Sequence, residues 1–150
     1  QTPVYILYHT ADKNHQPHVY IAQTGYNISS RISNHNRNRD FWNYALVFVE
    51  KGDFLNMNSA HTKIIESILI QKARECNVAI MDNATGSNRP RIQDADLYAA
   101  QTWAEEVVVI SKLLGLSFFI PAEQAAPDSA GGHPKHKKNT PIQTPKPKSF

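Results

Sequence analysis

The chain lacks the residues and runs that define several common protein classes. Cys76 is the single cysteine among 150 residues, which excludes an intramolecular disulfide and a cysteine-based zinc site. We therefore expect a reducing, cytoplasmic location. No apolar run approaches the roughly 18 residues of a membrane span, and the sequence does not open with the basic and apolar regions of a secretory signal. Neither a membrane span nor a secretory signal is expected.

A net positive charge is also lacking over residues 1–120, although the formal net charge of the chain is +3. Residues 121–150 hold five lysines and two acidic residues, which accounts for the whole surplus. The bulk charge of residues 1–120 therefore says little about partners. Local clustering is more informative, because four basic side chains fall close together: Arg31, His35, Arg37 and Arg39. We expect Arg37 and Arg39 to contact nucleic acid.

The composition of the chain changes after residue 120. Six of the nine prolines lie in residues 121–150, where large apolar residues nearly vanish. We therefore predict one folded domain over 1–120 and a Pro/Lys-rich disordered tail or linker over 121–150. The tail lysines could touch nucleic acid nonspecifically, but a solvated tail or a tether to something outside this chain is the preferred interpretation.

Local patterns predict a β-hairpin followed by a helix near the start of the chain. Residues 4–8 and 18–23 are rich in Val, Ile, Tyr and Leu, and a polar loop separates them. From 27 to about 38, Ile28 and Ile32 recur at helical spacing, which is typical of an amphipathic helix.

The remaining elements complete a small α+β domain. The near-continuous apolar run at 44–49 predicts a central strand covered on both faces. Helices are expected over about 59–76 and 94–114, with an irregular connection over 77–90. The predicted order is β-β-α-β-α-α, a small three-stranded, mainly antiparallel sheet flanked by helices.

Five side chains follow these elements in an order that suits phosphodiester hydrolysis: Tyr5, Tyr20, Arg31, His35 and Glu66. Such chemistry needs a proton acceptor, a cation for the phosphate and a carboxylate for a divalent ion. Arg31 and His35 are four residues apart, so they share one helix face. The guanidinium of Arg31 can hold two phosphate oxygens, and His35 can relay a proton. Taken alone, each residue also has a structural explanation. The tyrosines could simply pack within strands, and the helix residues could simply face solvent.

Glu66 is the candidate metal ligand. On the predicted helix it borders an apolar arc that includes Leu69 and Ile70, where a carboxylate is costly unless something compensates it. A divalent cation would do so, and one carboxylate with waters and phosphate oxygens suits Mg²⁺ or Mn²⁺. The alternative is an exposed glutamate, or one paired with Lys63 or Arg74.

In this order the residues resemble the GIY-YIG nuclease superfamily. Its Gly-Ile-Tyr motif corresponds loosely to Pro3-Val4-Tyr5, and its Tyr-Ile-Gly motif to Tyr20-Ile21-Ala22. The resemblance covers residues 3–90. It implies a GIY-YIG-like fold in which both tyrosines line the site and one of them activates water. The sequence does not say which tyrosine does so.

The resemblance assigns further roles along the chain. Arg31 and His35 would lie on the superfamily's catalytic helix, and Glu66 would bind the metal. A loop asparagine that some members use corresponds to Asn83 or Asn88, which are therefore expected to contact nucleic acid.

The sequence departs from the superfamily pattern at three positions. Pro3 replaces the first glycine at a strand start, where a missing N–H costs little. Ala22 replaces the glycine of the second motif and adds a methyl group where the backbone approaches closely. Gln23 stands where some members carry a lysine, which removes one activator of a base.

The resulting expectation is a metal-dependent endonuclease that hydrolyses DNA, with RNA left open and specificity supplied by an additional domain or partner protein. One alternative is a catalytically weakened domain of the same fold that serves as a nucleic-acid-binding or adaptor module. Another is a small α/β domain with no nucleic-acid role. That last alternative predicts that Tyr5, Tyr20, Arg31 and Glu66 lie far apart in the fold.

Overall fold

A computed structural model describes residues 2–10, 12, 15–52, 57–84 and 89–125. Asn88 and most of the tail, residues 126–150, lie outside the described residues. The nucleic-acid role of Asn88 and the disorder of the tail therefore stay predictions. None of the helices in the described ranges combines the length and apolar character needed to cross a bilayer.

The described strands form one mixed sheet in the order β3-β1-β2-β4. The strands are β1 (Val4–His9), β2 (His18–Gln23), β3 (Tyr44–Phe48) and β4 (Ile80–Met81). Strand β1 pairs antiparallel with both β2 and β3, which places Tyr5 opposite Ala22 on one side and Val47 on the other. Strand β4 pairs parallel with β2. The predicted hairpin is confirmed, and the fold class is α+β.

The prediction of a three-stranded sheet is wrong, because the described sheet has four strands. The fourth strand, β4, has two residues and lies inside the segment that was predicted to be an irregular connection. Two residues are too few to show an alternating pattern, so no local signal marks this strand. Its parallel pairing with β2 also makes the sheet mixed rather than antiparallel.

The prediction that residues 44–49 form a central strand covered on both faces is also wrong. Among the described strands β3 lies at the sheet edge and pairs only with β1. Leu46 and Phe48 pack against the main core, whereas Tyr44 is 54% exposed and Val47 is 41% exposed. Apolar composition indicated burial, but strand order depends on pairings with distant segments.

Three helices lie at the places predicted for them: α1 (Ile28–Asn38), α2 (Ser59–Cys76) and α3 (Asp94–Leu113). The short α4 (Ala122–Ala125) was not predicted and lies within the segment expected to be a disordered tail. The side chain of Asn27 caps α1 by accepting from the backbone N–H groups of Ser29 and Ser30. Asn58 caps α2 and forms a reciprocal capping box with His61. Local capping residues thus fix where both helices begin.

The sheet buries different residues on its two faces. One face carries Val4, Ile6 and Ile21 into the main core, which α2 and α3 cover. The other face carries Tyr5 and Leu7, which pack with Ile28 of α1. Each large side chain buried in this way stabilises the fold by about 1.5–3 kcal/mol. Because side chains alternate along β1, Tyr5 points to the face that α1 contacts.

Candidate active site

The hairpin brings the two predicted site tyrosines together. Tyr5 on β1 and Tyr20 on β2 have ring centroids 6.4 Å apart. The imidazole of His35, on α1, lies 5.7 Å from the Tyr5 ring and 5.0 Å from the Tyr20 ring. The three rings therefore form one aromatic cluster between the hairpin and α1.

Hydrogen bonds tie this cluster to Arg31. The Tyr5 hydroxyl lies 2.7 Å from His35 Nε2. Arg31 Nε donates to the same hydroxyl at 3.4 Å. Contact with Tyr5, together with a weaker interaction with Tyr20, raises the pKa of Arg31, so the guanidinium stays cationic. Because Arg31 is exposed, its remaining N–H groups are available to an anion from solvent.

The two phenols have different access to solvent. Tyr5 is 0% exposed, and burial raises its pKa above the usual value, although the hydrogen bond from Arg31 acts in the opposite direction. Tyr5 therefore keeps its proton at neutral pH. Tyr20 is only partly buried, so a water molecule can reach it without rearrangement of the fold.

The imidazole of His35 is neutral at neutral pH. Its side chain is buried, with the residue only 6% exposed, and burial lowers its pKa. The nearby positive charges of Arg31 and Arg39 lower that pKa further. Arg39 Nε donates to His35 Nδ1 at 3.2 Å, so both ring nitrogens have partners.

Glu66 lies where β2 ends. Its Oε2 accepts a hydrogen bond from the backbone N–H of Gln23 at 3.0 Å, and the carboxyl group is partly buried. Burial raises the pKa of Glu66, while the Gln23 N–H, Lys63 and Arg31 lower it. The same electrostatic interactions reach Tyr5, so Glu66 belongs to the surroundings of the aromatic cluster. The other alternative partner, Arg74, donates instead to the backbone carbonyls of Asn83 and Ala84.

The surroundings of Glu66 fit a metal bound by a single carboxylate. The hydrogen bond from Gln23 goes to Oε2, and no hydrogen bond from a described residue reaches Oε1, which can therefore take a further ligand. A cation would offset the burial that raises the pKa of this carboxyl group. Within the described ranges, no group of three or more His, Cys, Asp or Glu side chains could hold a metal ion. A metal at this position would therefore complete its coordination with water and substrate oxygens.

The Arg39 side chain is 28% exposed and contacts neighbouring residues of the fold, so its predicted contact with nucleic acid stays a prediction. Its guanidinium lies 4.1 Å from the centre of the Tyr20 ring and forms an ion pair with Asp82. Together with the hydrogen bond to His35, these contacts direct Arg39 into the cluster. Arg37, by contrast, is exposed.

The amide of Asn83 is engaged by the neighbouring strand. Its Oδ1 accepts from the Ile21 N–H at 3.0 Å, and its Nδ2 donates to the Ile21 carbonyl at 2.6 Å. The side chain therefore continues the parallel pairing of β4 with β2 beyond Met81. Both polar ends are occupied in this arrangement, which gives Asn83 a structural task.

Sequence reasoning placed Arg39 against nucleic acid rather than against His35 and Tyr20, and it missed Asp82 altogether. One signal was present, because Arg39 follows His35 by four residues and therefore lies one helical turn further along. Nothing local marked Asp82, which reaches the site through the pairing of β4 with β2. The backbone N–H of Gln23 was also missed, since backbone groups carry no residue-specific signal.

Comparison with known proteins does not assign the chain to a family. No protein family, curated protein or solved structure gives a significant match. The GIY-YIG resemblance therefore rests on the residues of this chain and on their arrangement.

Proposed function

We propose that this protein is a metal-dependent endonuclease of GIY-YIG type that hydrolyses phosphodiester bonds in DNA. One observation carries the proposal: two tyrosines, an arginine and a histidine from three elements meet on one sheet face, with a half-buried carboxylate nearby. Together these groups could supply what phosphodiester hydrolysis needs: a cation for the phosphate, a proton acceptor and a carboxylate for a divalent ion. The alternative that predicts their wide separation is not supported for Tyr5, Tyr20 and Arg31, which interact with one another.

Arg31 is the phosphate-binding group in this proposal. Tyr5 and His35 orient its side chain from the buried side, and its outer N–H groups face solvent. A planar guanidinium fixed in this way can donate to two oxygens of a phosphodiester and offset the charge that develops during hydrolysis. Much of phosphoryl-transfer catalysis comes from such positioning and charge stabilisation.

Tyr20, once its hydroxyl proton has passed to solvent, is the proton acceptor for the attacking water. It is the phenol that solvent can reach, and Arg31 interacts with it. Tyr5 is fully buried and keeps its proton, so its task is to orient Arg31 rather than to act as a base. His35 is neutral and hydrogen-bonded on both ring nitrogens, which makes it a supporting group.

Glu66 would hold Mg²⁺ or Mn²⁺. When bound, such an ion would polarise the scissile phosphate and stabilise the leaving oxygen. The backbone N–H of Gln23 orients the carboxylate for this task. The raised pKa of Glu66 predicts that metal binding weakens in mildly acidic solution, where protons compete with the metal for the carboxylate oxygens.

A second candidate function is a binding module with weakened catalysis. Ala22 favours it, because this residue replaces a motif glycine and is buried directly against Tyr5 and Leu7. Such a module would bind DNA in a salt-dependent manner and cleave it in no divalent metal.

Plasmid nicking with Mg²⁺, Mn²⁺ or EDTA tests the proposal. The wild type should convert supercoiled plasmid to the nicked form only with metal. Glu66→Gln and Arg31→Met should each lower the rate by about 100-fold or more, because each removes a charge that stabilises the transition state. Glu75→Gln is the matched control on α2, since Glu75 is exposed and bonds only Gln71 among the described residues. DNA binding without cleavage would favour the second candidate.

The same assay distinguishes the two phenols. Tyr20→Phe should lose most of the rate and should not be rescued at high pH, because its proton acceptor is gone. Tyr5→Phe should weaken DNA binding together with the rate, because Arg31 loses its orienting partner. If Tyr5→Phe alone abolished the chemical step, the assignment of Tyr20 as the acceptor would be wrong. Single-stranded RNA run in parallel decides whether the substrate is DNA alone.

A further inference from the structure

The direction of the hydrogen bonds around His35 follows from Arg39. A guanidinium can only donate, so His35 Nδ1, which receives the bond from Arg39 Nε at 3.2 Å, carries no proton. Burial and two nearby arginines lower the pKa of His35, so the ring is neutral and has a single N–H. That proton must lie on Nε2. The 2.7 Å bond to Tyr5 therefore runs from His35 Nε2–H to the phenol oxygen.

The Tyr5 hydroxyl then accepts two hydrogen bonds, and its own proton still needs an acceptor. His35 and Arg31 both donate to its oxygen. Neither partner can accept the phenol proton in this arrangement. Within the described part of the chain, no other residue hydrogen-bonds this hydroxyl. Because Tyr5 is 0% exposed, this proton meets a ligand that binds beside Arg31 only when the exposed Arg31 side chain shifts to admit the ligand.

Arg39 is itself fixed by three contacts. It forms an ion pair with Asp82, its guanidinium stacks on the Tyr20 ring at 4.1 Å, and its backbone N–H bonds the His35 carbonyl at 2.8 Å. Asp82 is in turn held by β2, because its own N–H donates to the Val19 carbonyl at 2.8 Å. The sheet thus sets the position of the guanidinium that contacts His35.

We propose that Arg39 is a positioning residue that fixes His35 as the Nε2–H tautomer and so directs the Tyr5 proton to a phosphate ester oxygen bound at Arg31. The assignment of the ligand rests on the proposed function, whereas the tautomer does not. In the other tautomer Tyr5 would donate to His35 Nε2 and would offer the ligand no proton. The ligand would then lose a hydrogen bond to a charged oxygen, worth about tenfold in affinity.

Nitrogen-15 NMR of the full chain tests the tautomer without any substrate. The His35 signals are assigned by their loss in His35→Gln. We expect the wild type to show an unprotonated Nδ1 and a protonated Nε2. Arg39→Met should shift the ring toward the Nδ1–H form, because the donor that excludes a proton from Nδ1 is gone. A protonated Nδ1 in the wild type, or an unchanged tautomer in Arg39→Met, would overturn the inference.

Two further variants separate positioning from charge and from misfolding. Asp82→Asn releases Arg39 while it removes a negative charge, so it should shift the tautomer in the same direction as Arg39→Met. Arg91→Met is the matched control, because Arg91 is exposed and makes no hydrogen bond or ion pair with a described residue. It should leave His35 unchanged. If Arg39→Met fails to fold, the wild type and Asp82→Asn still decide the question.

Binding of a short DNA duplex in EDTA tests the second half of the proposal. Arg39→Met and Asp82→Asn should both weaken binding by about tenfold relative to Arg91→Met. A purely electrostatic role for Arg39 predicts opposite effects, since one variant removes a positive charge and the other a negative charge. Tighter binding by Asp82→Asn would therefore contradict the proposal. If the tautomer shifts as expected but the wild type never cleaves DNA, the proposed function fails and the tautomer assignment stands.

Discussion

Tyr5 and Tyr20 are the same residue type on neighbouring strands, yet their surroundings give them different chemistry. Burial raises the pKa of Tyr5 and keeps its proton in place, whereas solvent reaches Tyr20. The resemblance to the GIY-YIG superfamily implied that both would line one site. It could not separate their roles, because exposure depends on what α1 covers.

Arg39 has contacts within the fold that its position in a basic cluster did not predict. A cluster of basic residues predicted that Arg37 and Arg39 would both contact nucleic acid. The structure leaves Arg37 exposed but directs Arg39 into contact with Tyr20 and His35. The deciding partner is Asp82, which comes much later in the chain. A charge pattern cannot reveal such an ion pair.

The lowered pKa of His35 predicts how stability depends on pH. Between this lowered value and the ordinary 6.5, the unfolded chain binds more protons than the folded chain, so stability rises with pH. The free energy of unfolding should therefore decrease as the pH falls below about 6.5. The raised pKa of Glu66 acts with the opposite sign, since its contribution is lost as pH rises through that value.

Urea unfolding of His35→Gln at several pH values measures this effect. The variant should show a smaller dependence on pH than the wild type, while part of the slope persists because burial also lowers the pKa of His18. His15→Gln is the control, because the His15 side chain is 70% exposed. An identical slope in wild type and His35→Gln would show that the imidazole titrates alike in both states.

At the scale of elements, local patterns were sufficient for the helices and the hairpin. Helix periodicity and the capping residues Asn27 and Asn58 act over a few positions, so they can be recognised in sequence. Strand order cannot, because it depends on pairing between distant segments. For that reason the edge position of β3 and the existence of β4 were both missed.

Asn83 is expected to stabilise β4 rather than to bind DNA. Its amide makes two hydrogen bonds to the backbone of Ile21, each worth about 1 kcal/mol in a folded protein. Asn83→Ala should therefore lower the free energy of unfolding by about 1–3 kcal/mol and speed amide exchange at Ile21.

Asn38→Ala is the matched control for this measurement. Asn38 is exposed and bonds only Asn34 among the described residues, so the change should stay within about 0.5 kcal/mol. If Asn83→Ala were as stable as this control but bound DNA more weakly, the role predicted for Asn83 from the resemblance would be restored.

At the scale of the whole molecule, net charge says little about a DNA substrate, whereas the arrangement of the site residues says more. Residues 1–120 carry no net charge, so bulk electrostatics do not draw the folded part to DNA. The side chains that gather around Arg31 favour the proposed nuclease function instead. One such site cuts one strand per engagement, so the expected product of a single protein molecule is a nick.

The central claim is that Arg31 and Glu66 act on one phosphodiester in one site. Single-turnover DNA cleavage by Arg31→Met, Glu66→Gln and the double variant tests it most directly. Groups that act as a unit are strongly non-additive, so the double variant should be little slower than the slower single variant. If the rate losses of the two single variants multiplied in the double variant, Arg31 and Glu66 would contribute independently. A wild type that cleaves no DNA with Mg²⁺ or Mn²⁺ would contradict the claim outright.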